Sequence, residues 1–276
     1  MTDLPRSRPT GHPAATNLRT AAIWDSVHAL AAARARELGR PLVILDLGGG
    51  TGGLAVPLAL AGHHVHVLDP SPDALASLQR RASEQGLGAG SGGDGEEGGS
   101  VTAVQGDADT ITDSALVSEL VGGRPIDLIC CHDALEMVDD PGATIRAMAA
   151  ILVPGGALSL VTAGRLAAVL HRVLAGRFAQ AQRALTSRDG RWGDADPMPR
   201  RFDIETLTDL LISAGFAIED VHGVRIFSDL VPSAYIDTEA DRRALLELET
   251  AAAAHPDYPL LGQLGAATHI VARRRS

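Results

Sequence analysis

The chain has 276 residues, of which 45% are hydrophobic, and a net charge of −10. This length suits one large α/β domain or a domain with a cap, and the acidic charge argues against non-specific nucleic-acid binding by the whole surface. Residues 1–16 are polar, and no later apolar run approaches the ~20 residues of a membrane span, so we expect a cytoplasmic protein without membrane contact.

The first predicted element is an N-terminal helix. Apolar residues recur at helical spacing over residues 17–38, and Gly39-Arg40-Pro41 is a helix-ending signal. From residue 41 to 162, strands and helices alternate with short connections. This pattern predicts an α/β fold with a doubly wound, Rossmann-like sheet and helices on both faces.

A glycine loop follows the first strand. The apolar run Leu42–Leu45 leads through Asp46 into Gly48-Gly49-Gly50, where backbone must lie close to a ligand. These glycines and Gly53 also fit the dinucleotide pattern G-x-G-x-x-G, which is a weak signal alone. Asp46 favours a different cofactor, because a carboxylate there suits a cationic amino-acid head group better than a pyrophosphate.

Further polar residues follow the next strands. Asp69 ends the apolar run 65–68, where a carboxylate can accept both hydroxyls of a ribose or cap the next helix. Ala108 and Asp109 follow a third short strand, and residues 126–132 are predicted to form a fourth. Asp109 is a candidate N-cap for the helix after it.

The fourth strand carries both cysteines of the chain. Cys130 and Cys131 are adjacent, so their side chains point to opposite faces of the sheet. This arrangement supports neither a disulfide nor a zinc site, and we expect two core thiols. The sequence offers no metal-ligand cluster, and no metal is expected.

Two segments interrupt the regular pattern. Residues 86–100 hold eight glycines, a composition that predicts a flexible surface insertion. Residues 165–201 begin with an amphipathic helix to Gly176 and continue as an irregular stretch, with eight arginines against three aspartates. This segment follows the strand 157–161, and its local charge of +5 makes it a candidate arginine-rich lid.

The rest of the chain predicts a second alternation of helices and strands. Their expected ranges are a helix over 202–214 stopped by Gly215, a strand over 216–227, a helix over 240–254 and a last strand over 268–273.

Several motifs occur together in an order and spacing that resemble one family. They are Asn17-Leu18-Arg19, the Gly49 loop, His132-Asp133-Ala134-Leu135-Glu136, Leu152–Gly156, Gly223–Phe227 and the helix Arg243–Glu249. The chain resembles class I S-adenosylmethionine methyltransferases, and within them the tRNA 5-carboxymethoxyuridine methyltransferase family, over about residues 15 to 274. The resemblance implies a seven-stranded sheet whose last strand is antiparallel, with residues 1–40 as tail and flap helix and 41–276 as the methyltransferase domain.

The resemblance also implies S-adenosyl-L-methionine as cofactor. The residues it assigns to the cofactor are Arg19, Asp46, Gly48, Gly49, Gly50, Asp69, Ala108, Asp109 and His132. Arg19 would bind the cofactor carboxylate, Asp109 would accept from the adenine amine, and His132 would lie beside the sulfur. Each also has an ordinary interpretation, since an arginine on an amphipathic helix is usually solvated and a histidine at a strand end is usually a satisfied polar residue.

The methyl acceptor implied by the resemblance is the carboxylate of 5-carboxymethoxyuridine in tRNA. A carboxylate needs alignment rather than a base, and Arg201 and Arg225 are candidate substrate contacts or surface ion pairs. The few aromatic residues available for base stacking are Trp192, Phe202 and Tyr235. Two alternatives remain open: a methyltransferase for a carboxylate, hydroxyl or amine of a small-molecule metabolite, and a cofactor-binding protein without turnover. The arginine excess favours an anionic substrate among these.

Overall fold

The fold is centred on a single twisted sheet. A computed structural model describes residues 21–87 and 98–275. The seven strands lie in the order β3-β2-β1-β4-β5-β7-β6. They are β1 (Val43–Leu47), β2 (His64–Asp69), β3 (Ser100–Gln105), β4 (Ile126–His132), β5 (Leu152–Ala163), β6 (Phe216–Val224) and β7 (Ala267–Arg274).

Helices connect the strands. They are α1 (Ala21–Leu38), α2 (Ala55–Leu60), α3 (Pro72–Glu84), α4 (Ser114–Leu120), α5 (Pro141–Ile151), α6 (Arg165–Leu174), α7 (Phe178–Thr186), α8 (Ile204–Ser213), α9 (Glu239–Ala253) and α10 (Leu260–Gln263). The first five strands pair in parallel, whereas β7 runs antiparallel to both β5 and β6. The predicted doubly wound sheet with an antiparallel last strand is therefore confirmed.

Each face of the sheet has its own hydrophobic core. Helices α1, α2 and α3 pack on one face, and α4, α5 and α8 pack on the other. All five residues of β1 are buried because both faces are covered. Cys130 lies in the first core and Cys131 in the second, both as free thiols, as their adjacency predicted.

The amino ends of β1 and β4 are joined by an ion pair. The Arg40 guanidinium donates to both carboxylate oxygens of Asp127 at 2.8 Å, and Val43 N donates to Asp127 Oδ2 at 2.9 Å. Asp127 is fully buried. Every oxygen of this buried carboxylate therefore has a partner, as a stable interior requires.

Two sequence predictions need correction. The stretch between Gly176 and Arg201 was expected to be irregular, but it contains α7, whose Ala181 and Ala184 form its buried face. Alanines give a weak apolar signal, which explains why the pattern was missed. The sixth strand was expected to reach Phe227, but it ends at Val224 because Arg225 adopts φ +57°.

Two expectations fall wholly or partly beyond the described ranges. The glycine-rich insertion is described only at its two ends, and the tail before Ala21 is not described.

Within residues 21–87 and 98–275, no helix has both the length and the apolarity to cross a membrane. In the same ranges, no group of three or more His, Cys, Asp or Glu side chains is arranged to hold a metal ion.

Candidate functional site

The glycine loop lies at the carboxyl end of β1. Gly48 and Gly50 have φ of +73° and +55°, conformations that glycine adopts without strain. A β-carbon on Gly48 would lie 3.0 Å from Ala134 Cβ, and one on Gly49 would lie 2.5 Å from Asp46 Oδ2. A β-carbon on Gly50 would lie 3.9 Å from both Asp69 Oδ2 and Gly48 O, in ordinary van der Waals contact. The predicted need for glycine thus has a separate physical reason at each position.

Gly52 is a loop residue that the sequence analysis missed. Its φ is +75°, and a β-carbon there would lie 2.9 Å from Leu78 Cγ on α3. The G-x-G-x-x-G pattern directs attention to Gly53 instead, although Gly53 has φ outside the left-handed region and room around it. Gly52 therefore shapes the turn and packs it on α3.

Asp46 is buried directly beneath this loop. Its Oδ2 has no hydrogen-bond partner among the described residues. Burial, with a smaller contribution from the negative charge of Asp69, raises the pKa of Asp46 to about 7. An unsatisfied buried carboxylate is costly, and a cationic group in the loop would offset that cost. The residue fits the predicted cofactor head group.

Asp69 is held at the end of β2 by backbone donors. Gly50 N donates to its Oδ2 at 2.8 Å, and Ser71 N donates to its Oδ1 at 2.9 Å. Each oxygen keeps a second lone pair, so two ribose hydroxyls can still be accepted. The alternative role as a helix cap is wrong, because the Ser71 hydroxyl accepts from Ala74 N and caps α3.

Ala108 and Asp109 lie in a short 3₁₀ turn after β3, Ala108–Thr112. Its N-cap is Asp107, which accepts from Thr110 N, so the alternative role of Asp109 as N-cap is wrong. The Asp109 carboxylate instead accepts from Asp139 N at 3.0 Å. This contact ties the turn after β3 to the loop after β4, across the carboxyl edge of the sheet.

His132 ends β4 beside the glycine loop. Its Nε2 lies 2.8 Å from Ser159 Oγ on β5, and burial lowers its pKa to about 4. The next residue, Asp133, has φ +54°, a rare conformation outside glycine that often marks functional sites. A neutral imidazole therefore stands at the edge of the sheet, next to a strained turn.

Glu136 is a site residue that the sequence analysis quoted in a motif but did not assign. It is fully buried, and its Oε1 accepts from Ala163 N at the end of β5. Its Oε2 has no hydrogen-bond partner among the described residues, and burial raises its pKa to about 7. Glu136 thus joins the ends of β4 and β5 while one oxygen remains available.

Arg225 follows the end of β6. Desolvation raises the pKa of Asp133, and the Arg225 guanidinium opposes that shift. The Arg225 Nε lies 3.7 Å from Asp229 Oδ2. The structure therefore gives Arg225 a long ion pair with Asp229, and its role as a substrate contact stays a prediction.

Glu249 holds the loop that contains Arg225. From α9, its carboxylate accepts from three successive backbone amides, Ile226 N, Phe227 N and Ser228 N, at 2.7–2.9 Å. The sequence analysis predicted this helix over residues 240–254 but assigned no role to Glu249. The contact joins residues more than twenty positions apart, so no local pattern could have revealed it.

The arginine-rich segment 165–201, the candidate lid, leaves the sheet at Gly164 and returns at Phe202, where the two residues form a parallel bridge. A cavity of about 460 Å³ opens beneath it. Its charged lining residues are Arg165, Arg188, Arg200, Arg201, Asp189 and Asp203. The lining carries an excess of positive charge, which suits an anionic ligand.

The arginines of this cavity are not equivalent. Arg201 binds both oxygens of Asp196 at 2.6 and 3.0 Å, and Arg165 pairs with Asp203 at 3.0 Å. Within the described ranges, Arg188 and Arg200 have no carboxylate partner. The predicted substrate contact Arg201 is therefore already engaged with a carboxylate, and the Arg200 guanidinium donates to the carbonyl oxygens of Val138 and Asp139. Arg188 is the arginine of this lining most available to a ligand.

The predicted stacking residues are differently placed. Trp192 and Phe202 are both buried, and the Arg172 guanidinium lies over the Trp192 ring at 3.9 Å. Only Tyr235 of the three is exposed. The expectation that Trp192 and Phe202 offer surfaces to RNA bases is wrong. The predicted contact Arg19 lies outside the described residues.

Comparison with known proteins places these features in a family. A family model described as a methyltransferase domain matches residues 17–221. The chain is 28% identical over 261 residues to the tRNA 5-carboxymethoxyuridine methyltransferase of Escherichia coli, covering 93% of this chain and 88% of that protein. It is 33% identical over 124 residues to a ubiquinone biosynthesis O-methyltransferase of Caulobacter vibrioides, covering 45% and 42% of the two chains.

A solved structure supports the same fold. The magnesium protoporphyrin IX methyltransferase of Synechocystis, with bound S-adenosylhomocysteine, superposes with a TM-score of 0.54 at 16% identity. The match covers 97% of this chain and 90% of that one. At this identity the likeness concerns the fold alone.

Proposed function

The chain belongs to the methyltransferase domain family, and on this premise we propose that it methylates an anionic acceptor, the carboxylate of 5-carboxymethoxyuridine at the tRNA wobble position. The observation that carries this choice is the similarity to the Escherichia coli enzyme, which extends over 93% of the chain. The excess of arginine beneath the lid is consistent with an anionic substrate.

The methyl donor is S-adenosyl-L-methionine, which when bound supplies an electrophilic methyl group on a cationic sulfonium. We assign its ribose to Asp69, its head group to Asp46 and the Gly48–Gly50 loop, and its adenine to Ala108 and Asp109. The unsatisfied Asp46 Oδ2 fits this assignment. Arg19 and His132 complete the proposed cofactor site.

The protein's part in the transfer is to align the acceptor and exclude water. A carboxylate acceptor is already ionised at neutral pH and needs no general base. Arg225, whose loop is held by Glu249 through the amides of Ile226 and Phe227, would orient it from the end of β6. Arg188 would contact phosphates or other anionic groups farther out. Arg200 and Arg201 would shape the cavity, the first through its bond to Val138 O and the second through its pair with Asp196.

A small-molecule acceptor is the second candidate. The burial of Trp192 and Phe202 removes two of the few surfaces on which RNA bases could stack. The partial similarity to ubiquinone biosynthesis O-methyltransferases is in keeping with such a substrate.

The test is to incubate the protein with radiolabelled S-adenosylmethionine and total tRNA from its own source. We expect label in the digested nucleosides that mild base releases as methanol, because a methyl ester is alkali-labile. Arg188→Ala should lower tRNA labelling without changing cofactor affinity, while Arg243→Ala, an exposed position on α9, should change neither. Confirmed cofactor binding without any RNA label would reject the tRNA proposal in favour of a small-molecule acceptor.

A further inference from the structure

A line of hydrogen-bonded side chains crosses four adjacent strands and ends at His132. On β6, His222 Nδ1 lies 3.0 Å from Asp220 Oδ2, and His222 Nε2 lies 3.0 Å from His269 Nδ1 on β7. His269 Nε2 lies 2.8 Å from Ser159 Oγ on β5, which in turn lies 2.8 Å from His132 Nε2 on β4. We call Asp220, His222, His269 and Ser159 the relay.

The strand register explains why these side chains meet. His132 is paired with Val161, Val161 with His269, and His269 with His222. Directly paired residues share a face of the sheet, and Ser159 shares the face of Val161 because side chains alternate along a strand. Ser159 and His269 are fully buried, whereas the Asp220 side chain is exposed. The relay therefore connects the protein surface to the candidate site through the interior.

When Asp220 is ionised and the imidazoles are neutral, the donor and the acceptor of every hydrogen bond in the relay are fixed. A carboxylate only accepts, so His222 Nδ1–H donates to Asp220 and His222 Nε2 becomes an acceptor. His269 Nδ1–H then donates to His222, and the Ser159 hydroxyl donates to His269 Nε2. Since Ser159 Oγ is left to accept from His132 Nε2–H, the lone pair of His132 lies on Nδ1.

The surroundings keep both inner rings neutral. Burial lowers the pKa of His132 to about 4 and, together with the neighbouring His222 and His132, lowers that of His269 to about 2. No hydrogen bond from a described residue engages His132 Nδ1. This nitrogen is therefore available to a ligand in the site.

We propose that the relay fixes His132 as the Nε2-protonated tautomer, so that an unprotonated Nδ1 is presented to the cofactor. A sulfonium group is cationic and polarises its C–H groups as donors, so a lone pair complements it while an N–H would oppose it. The relay residues are positioning residues, since they act through His132. This inference rests on the proposed place of the cofactor at His132 and not on the identity of the acceptor.

The first test is the histidine tautomer, measured by ¹⁵N NMR at about pH 8, above the ordinary pKa of imidazole. The wild-type chain should show His132 protonated on Nε2. Ser159→Ala and Asp220→Ala should give mixed tautomers, whereas Asp220→Asn, which keeps an acceptor oxygen, should retain the Nε2–H form. His255→Gln, a nearby histidine outside the relay, is the matched control and should leave His132 unchanged.

The second test compares calorimetric affinities for S-adenosylmethionine and S-adenosylhomocysteine, of which only the first carries the sulfonium charge. Ser159→Ala and Asp220→Ala should lower the preference for S-adenosylmethionine about twofold to fivefold, the scale of a weak C–H hydrogen bond. A structural defect would lower both affinities alike.

The possible outcomes distinguish a failure of the relay proposal from a failure of the proposed function. A wild-type His132 protonated on Nδ1, or an equal loss of affinity for both ligands in the variants, would overturn the relay while cofactor binding stands. Asp220→Ala changes an exposed side chain, so a failure of Ser159→Ala to fold would still leave a decisive variant. Failure of the wild-type chain to bind either ligand would overturn both proposals.

Discussion

The two ends of the sheet differ in whether their buried carboxylates are fully hydrogen-bonded. At the amino end, Asp127 is fully paired with Arg40 and with Val43 N. At the carboxyl end, Asp46 and Glu136 each keep one oxygen without a hydrogen bond among the described residues, and burial raises the pKa of each to about 7. An unpaired buried carboxylate opposes folding, so the amino end contributes to stability, whereas the carboxyl end fits the proposed cofactor site.

The largest expected effect comes from breaking the amino-end pair. Asp127→Ala leaves Arg40 and Val43 N without their acceptor and should lower the free energy of unfolding by about 3 kcal/mol. Urea unfolding measures this loss, with Asp257→Ala, an exposed aspartate, as the control. Cofactor affinity of the folded variant should match that of the wild type. A folded Asp127→Ala protein with lost cofactor affinity would contradict the division between the two ends.

The next effect concerns binding at the carboxyl end. Asp69→Ala removes two charge-assisted hydrogen bonds to the ribose and should weaken cofactor affinity about a hundredfold. Isothermal titration calorimetry measures this change, and circular dichroism checks that the variant is folded. Asp69→Asn keeps one acceptor oxygen and should lose less. Unchanged cofactor affinity in Asp69→Ala would contradict the assignment of Asp69 to the cofactor ribose.

A third prediction concerns how the free energy of unfolding depends on pH through the unpaired carboxylates of the carboxyl end. The pKa of Asp46 is about 7 in the folded chain, above its unfolded value near 4, so the native state binds more protons between these values. The free energy of unfolding of the ligand-free protein should therefore fall as pH rises from about 4 to about 7.

Asp46→Asn removes this contribution, and it should raise stability at pH 8 by about 2 kcal/mol while weakening cofactor binding. Urea unfolding across this pH range checks the change in slope. Glu136 titrates in the same direction, so part of the pH dependence should remain in the variant. An Asp46→Asn protein with the full wild-type slope would contradict the account.

The smallest effect is expected at the loop after β6. Glu249→Gln replaces a carboxylate that accepts three amides by a neutral amide and should cost about 1 kcal/mol of stability. By loosening Arg225, it should raise the KM for the methyl acceptor and leave cofactor affinity unchanged. The exposed Glu247→Gln is the matched control. A loss of cofactor affinity in Glu249→Gln would contradict the assignment of Arg225 to the methyl acceptor, because it would indicate that the loop after β6 contributes to cofactor binding.

The sequence was sufficient for features that depend on local patterns. The bounds of β4, Ile126–His132, match the prediction, because a short apolar run there ends in polar residues. The positive φ of Gly48 and Gly50 also follows from a strand that must turn sharply into a helix. Such features need only neighbouring residues to specify them.

Features that depend on distant contacts were missed. Ser159 and His269 are 110 positions apart, and their contact depends on the register of β5 and β7. The roles of Glu136 and Glu249 similarly appear only when strand ends and a late helix come together. The candidate N-cap of the turn after β3 was placed two residues too late, since Asp107 rather than Asp109 caps that turn.

The most direct test of the difference between the two ends is a crystal structure of the chain with S-adenosylhomocysteine. We expect the ligand over Gly48–Gly50, with its ribose hydroxyls on Asp69 and its ammonium group near Asp46. A ligand bound elsewhere, with Asp46 and Asp69 both free of contact, would contradict the claim that the carboxyl end is unsatisfied because it binds the cofactor.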